Sequence, residues 1–130
     1  MVYPRRIMVI AMAALAFMAS GCRTQDQGRF GSRRLDRPIP LRVENNNFLD
    51  VTIYAVGDGP GVKLGEVTGK STGSFSIDPR RVAMVGGLRI RVEPLGSIRN
   101  YLSPTVFLDN RASLYLEVAA LLEMSWVAVR

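Results

Sequence analysis

The sequence has no histidine and a single cysteine. Without histidine, the chain lacks the commonest general base and the commonest metal ligand. Ser-His-Asp and Cys-His machinery and His-containing zinc sites are therefore impossible within it. One cysteine cannot close an internal disulfide, so Cys22 needs another reason to be present. Acidic residues are few, 11 Asp and Glu against 17 Lys and Arg, for a net charge of +6. Charged residues make up 22% and hydrophobic ones 48%, a balance that suits a packed core rather than a wholly disordered chain. A length of 130 residues suits one domain, once any targeting segment is set aside.

Such a segment opens the chain. Residues 1–6, Met-Val-Tyr-Pro-Arg-Arg, carry two positive charges and precede the uncharged apolar run Ile7–Ala19. A basic start followed by an apolar stretch of roughly 7–15 residues is the pattern of an export signal. As a helix, a run of about 13 residues spans roughly 20 Å, short of the roughly 30 Å of a bilayer's hydrocarbon. The run ends in Ala19-Ser20-Gly21-Cys22. These four residues resemble the lipobox of bacterial lipoprotein precursors: a residue of moderate size, two small ones, then cysteine. Ala19 departs from the leucine commonest at its position. The resemblance implies cleavage between Gly21 and Cys22, removal of residues 1–21, and acylation of Cys22. It also accounts for the odd cysteine. One acyl chain binds a membrane only marginally, whereas two or three make a lasting anchor.

Residues 22–37 read as a flexible tether behind the lipidated cysteine. The segment is polar and contains glycine. Arg23, Arg29, Arg33, Arg34 and Arg37 face only Asp26 and Asp36 there, while ten basic residues face nine acidic ones from Pro38 onward. The basicity is thus concentrated in the signal and the tether. The five arginines are candidate contacts for anionic lipid, each attracted by roughly 1 kcal/mol near a charged surface. The alternative is a solvated spacer. Nucleic acid is not expected as a partner, because export takes the chain away from it.

From Pro38 the dominant period is two. Pro38–Val43 reads as a first strand with its prolines at a sheet edge, and Asn45-Asn46-Asn47 as a turn. Leu49, Val51, Ile53 and Ala55 alternate with polar residues and Tyr54. Gly57–Gly61 is a loop, Val62–Val67 and Ser74–Ile77 are short strands, and Asp78–Arg81 and Gly86-Gly87 are turns. Leu88, Ile90 and Val92 are expected inward, with Arg89, Arg91 and Glu93 outward. Pro94–Pro104 reads as a loop and Thr105–Leu108 as a strand. The parity of Leu114, Leu116, Val118, Ala120, Leu122, Met124 and Trp126 predicts one long bent strand, or two in sequence, rather than a helix. Trp126 falls on the inward side of that pattern. The whole predicts an all-β domain over 38–130: a single antiparallel β-sandwich of about seven strands, preceded by a signal helix and the tether. The stretches Val43–Tyr54 and Lys63–Val67 resemble small bacterial lipoproteins with an immunoglobulin-like or transthyretin-like sandwich. That resemblance implies no activity.

Motifs for chemistry are weak. Gly69-Lys70-Ser71 fits the end of a P-loop, but the first glycine belongs at position 64, which is Leu64. A hairpin turn is the simpler reading. The carboxylates from Asp50 to Glu123 are scattered singly, and Asp58 alone is far from the six to eight oxygens a calcium site takes. Catalytic residues, cofactors and metals are therefore not expected. Tyr54 and Tyr115, both on outward positions, and the stripe of Arg89 and Arg91 are candidates for an interaction surface. The expectation is a lipid-anchored envelope protein, a structural or interaction module with an envelope protein as partner. A small-ligand or glycan-binding module and a carboxylate-dependent hydrolase are the alternatives. Asp just after the cysteine often keeps such lipoproteins in the inner membrane. Arg23 stands there instead, which implies the outer membrane, facing the periplasm.

Overall fold

The computed structural model describes residues 35–130. The signal, Gly21, Cys22 and Arg23, Arg29, Arg33 and Arg34 lie outside the described residues. The remainder is all-β. Its strands are β1 (Ile39–Asn45), β2 (Val51–Val56), β3 (Val62–Val67), β4 (Thr72–Ile77), β5 (Arg89–Pro94), β6 (Tyr101–Leu102), β7 (Leu114–Val118) and β8 (Trp126–Val129). They form two four-stranded sheets, ordered β4-β1-β7-β8 and β3-β2-β5-β6.

Alternation explains the core. Ile39, Leu41 and Val43 of β1, Ile77 of β4 and Leu114, Leu116 and Val118 of β7 are buried from the first sheet. Val51, Ile53 and Ala55 of β2, Val67 of β3 and Ile90 and Val92 of β5 are buried from the second, and all belong to one cluster. At about 25 cal/mol per Å² of apolar surface, each buried Val, Leu or Ile side chain contributes roughly 1.5–3 kcal/mol. Leu35, three residues before the expected domain boundary, also packs partly buried against this cluster.

Four expectations give way. First, β1 is not an edge strand: it lies between β4 and β7, and it runs parallel to β7. Pro40 is tolerated because the β7 register starts one residue later, at Leu41 opposite Leu114. The long connection between Asn45 and Leu114 supplies the crossover that a parallel pair needs.

Second, Thr105–Leu108 forms only an isolated bridge, Leu88 with Val106, and the short strand β6 lies in the stretch read as a loop. After Leu102, the Ser103 N–H still donates to the Ile90 carbonyl at 2.9 Å, and only the return bond passes to the buried Ser103 hydroxyl. It accepts the Ile90 N–H at 2.9 Å and donates to the Pro104 carbonyl at 2.9 Å.

Third, the Gly65–Thr72 segment is not an in-sheet hairpin. Its turn carries the chain from β3 in one sheet to β4 in the other.

Fourth, the long run after Leu114 folds back. Beyond Val118, whose carbonyl accepts the Asn46 N–H, β1 has ended and offers no further partner. A short 3-10 helix, Leu122–Met124, turns the chain, and the buried Ser125 hydroxyl accepts the Ala119 N–H at 3.0 Å. β8 then pairs back on β7 with Trp126 opposite Glu117 and Val127 opposite Leu116. This register reverses the parity. Trp126 is outward and 41% exposed, Met124 and Ala120 are exposed, and only Leu122 keeps its inward place. Leu49, also expected inward, lies before β2 and is exposed.

Candidate functional site

Strand register gathers four connections at one end of the domain. β1 and β7 are parallel and end side by side at Asn45 and Val118. β2 begins at Val51, opposite the ends of β3 at Val67 and β5 at Pro94. Segments 46–50, 68–71, 95–100 and 119–125 therefore share that end.

Asn45 ties them from beneath. It continues the inward parity of Ile39, Leu41 and Val43 and is only 1% exposed. Its Nδ2 group lies within donating distance of the carbonyls of Leu49 (2.9 Å), Val67 (3.2 Å) and Thr68 (3.2 Å). Its Oδ1 accepts the Asn47 N–H at 3.0 Å. A buried amide must find such partners, since each unmade hydrogen bond costs about 1–3 kcal/mol. Asn47 Nδ2 in turn donates to Ala119 O (3.2 Å) and Ala120 O (3.1 Å). The Leu95 N–H donates to Asp50 O (2.8 Å) and the Gly69 N–H to Asp50 Oδ1 (2.9 Å). Gly69 has to be glycine, because a Cβ there would lie 2.2 Å from the Phe48 carbonyl oxygen.

With backbone and polar groups spent on one another, the loops turn apolar side chains outward. Phe48, Leu49, Leu95, Ile98, Leu121 and Met124 are all exposed, Ile98 completely. Large side chains exposed singly are ordinary, but here six stand on three of the four segments at one end, while 68–71 contributes none. An open depression of about 260 Å³ beneath the 95–100 segment is lined by Leu95 and Ile98 together with Thr52 and Glu93. Charges at this end balance. Lys70 lies over the Phe48 ring, 4.1 Å from its centroid, Arg99 pairs with Glu123 at 3.0 Å, and Asp50 holds Gly69.

The residues expected to form an interaction surface separate into two groups. Tyr54, Arg89 and Arg91 share the outer face of the second sheet. The Arg91 guanidinium lies 4.5 Å from the Tyr54 ring centroid, and its Nε sits 2.9 Å from Glu93 Oε1 as an ion pair without hydrogen-bond alignment. Tyr115 is on the other sheet. There it packs against Trp126 at 5.3 Å between centroids, beneath the Arg130 guanidinium at 4.7 Å. Its hydroxyl donates to Glu44 Oε2 at 2.7 Å, which, with partial desolvation, raises the Tyr115 pKa above the ordinary tyrosine value. Glu117 is the parallel cross-strand neighbour of Glu44, so this face holds a carboxylate pair that linear spacing conceals. Arg37 is exposed, and beside it the Asp36 N–H donates to Asn110 Oδ1 at 3.3 Å. Asp58 accepts the Gly86 N–H, and Asp109 accepts the Arg111 N–H within a turn.

No family model and no curated protein matches the chain. Among solved structures, an NMR structure of a protein from Eubacterium rectale is similar over 76% of this chain and 94% of that one, at 13% identity and a TM-score of 0.47.

Proposed function

We propose that this chain is a lipid-anchored protein of the bacterial cell envelope whose domain, a single β-sandwich, is a non-enzymatic module for binding an envelope protein. The anchor is acylated Cys22, and the compartment is the outer membrane facing the periplasm. The reading of the domain rests on one observation: six exposed apolar side chains on three loops that are cross-tied with a fourth at one end. A protein partner fits this surface better than a bilayer does. Asp50 and Glu123 balance Lys70 and Arg99 there, so the surface has no basic excess to attract anionic lipid. The excess lies instead in the tether, where Arg23, Arg29, Arg33, Arg34 and Arg37 are proposed to hold the headgroups. β1 starts at the opposite end of the domain from the four loops.

Two measurements test the two halves of this reading. Mass analysis of the membrane-extracted chain should show an acylated Cys22 as first residue; an intact Met1 refutes the anchor. Native electrophoresis of detergent-solubilised membranes should show the chain in a complex that Ile98→Asp or Leu121→Asp dissolves. A complex unaffected by both refutes the surface.

A second reading rests on the outer face of the first sheet. Tyr115 and Trp126 beside Glu44, Glu117 and Arg130 form an aromatic and charged platform of the kind that stacks on sugar rings. Glycan binding lost in Trp126→Ala, with the apolar loops untouched, would favour it. Hydrolysis lost in Glu44→Gln or Glu117→Gln would turn the platform into an enzyme's.

A further inference from the structure

β8 is the outer strand of its sheet. Ser113 and Arg130 exchange both backbone hydrogen bonds, at 2.9 and 2.8 Å. Closely bonded pairs recur at every second residue of an antiparallel ladder, so Tyr115–Ala128 and Glu117–Trp126 are the next ones. The N–H and C=O groups of Val127 and Val129 consequently face away from β7. Among the described residues, no strand pairs with them. Edge strands are normally blunted by charge, proline or a bulge. β3 has Lys63, Glu66 and a register shift, and β6 has only two residues. β4, the other edge of the same sheet, has no charge, proline or bulge either, but its outward positions Ser74 and Ser76 are polar rather than apolar. β8 reads Trp-Val-Ala-Val and has none of these devices.

We propose that β8 pairs antiparallel with β8 of a second copy, joining the two sheets into one. In the register that uses the free groups of both residues, Val127 lies opposite Val129 of the other copy, which puts the two-fold axis at Ala128. A register centred on Val127 would need the backbone N–H of Ser125, which already donates to the Leu122 carbonyl at 3.1 Å.

Both faces of this register are complementary. On the outer face, Trp126 of each copy lies opposite Arg130 of the other, with Glu117 as the next neighbour of Trp126. Arginine over an aromatic face is favourable, and Arg130 already stacks in this way on Tyr115. On the inner face, an open groove of about 440 Å³ is lined by Phe107, Leu108, Ala112 and Val129 together with Asp109, Arg111 and Arg130. Val127 of the second copy, opposite Val129, lies on the groove side. It covers the exposed Phe107 and extends the apolar interior across the junction.

The test uses the full-length chain in the membranes of the cells that make it. Residues opposite each other in a non-hydrogen-bonded antiparallel pair have Cα atoms about 4.5 Å apart, within the roughly 4.4–6.8 Å that a disulfide spans. Ala128→Cys should therefore give a covalent dimer on mild oxidation, in excess over the native chain, which carries Cys22 alone. Ser76→Cys, on the opposite edge strand, should give no excess. Val129→Pro removes only an N–H that points away from β7, so the β7–β8 ladder stays intact. Added to Ala128→Cys, it should lower the dimer yield about tenfold. Val129→Lys should do the same without altering the backbone. The proposal is overturned if Ala128→Cys gives no excess dimer or is captured only by a different protein. It is also overturned if the dimer persists at equal yield with both Val129 substitutions.

Discussion

The two ends of this domain are built from the same kinds of connection yet present opposite surfaces. At the end where β1 and β7 finish, the loops are braced from inside by the buried Asn45. At the other end, where β1 starts, the bracing is peripheral. Exposed Asp58 holds the Gly86 N–H from outside, and the Asp58 N–H meets the Ala83 carbonyl at 2.7 Å. The exposed large apolar side chains number six at the first end. At the second they are Val85, Phe107 and Val129, the last two beside the β8 edge. The difference teaches that loops presenting apolar side chains are here the ones tied by polar groups beneath them. Loops that satisfy their backbone internally can turn Phe48, Ile98 and Leu121 to solvent and keep them there.

The contrast can be broken most strongly at Asn45. Asn45→Ala strips a donor from the carbonyls of Leu49, Val67 and Thr68 and should lower unfolding stability by about 3 kcal/mol, read by denaturant titration. It should also expose segments 46–50 and 119–125 to protease. Asp58→Ala, at the other end, removes one exposed contact and should cost about 1 kcal/mol or less by the same titration. A loss as large as that of Asn45→Ala would erase the distinction between inner and peripheral bracing.

Ile98→Asp and Val85→Asp compare the surfaces themselves. Both residues are exposed, so each change should leave stability within about 0.5 kcal/mol in thermal or denaturant unfolding. Only Ile98→Asp should abolish the membrane complex seen by native electrophoresis.

The smallest effect concerns Tyr115. Its hydrogen bond to Glu44, with partial desolvation and the nearby carboxylates, favours the neutral phenol and raises its pKa. A raised folded-state value means the contribution to stability is complete below the ordinary tyrosine value of about 10 and is lost as pH climbs through the raised one. Ultraviolet titration of the phenol should show this late ionisation, and Glu44→Gln should bring it back towards the ordinary value. Tyr101, raised by burial alone, should be unaffected by that substitution.

Strands flanked by their own partners were legible in the sequence. Leu88, Ile90 and Val92, like Leu114, Leu116 and Val118, face inward as their alternation predicts, because both strands stay in register along their length. Parity failed where pairing ran out. Past Val118, nothing in the periodicity marks the end of β1 alongside, so Trp126 reads as inward although the fold-back turns it out. The apolar loop end was hidden for a related reason. Its apolar residues come from three separate connections, and only sheet register brings them together. Asn45 did leave a trace. It follows Ile39, Leu41 and Val43 at the same parity, so the first residue of the Asn45–Asn47 run belongs to the interior rather than to the turn. The Glu44–Glu117 pair left none, since their adjacency exists only through the parallel pairing of β1 and β7.

The central claim is that the apolar loop end is where this protein meets its partner. Site-specific photo-crosslinking in intact cells tests it most directly, with the photoreactive group placed in turn at Phe48, Ile98 and Leu121, and at Val85 on the other end. The account predicts one and the same envelope protein captured from all three loop positions, nothing captured from Val85, and capture from Phe48 abolished by Leu121→Asp. Equal capture from both ends, or none from the three loops, would contradict it.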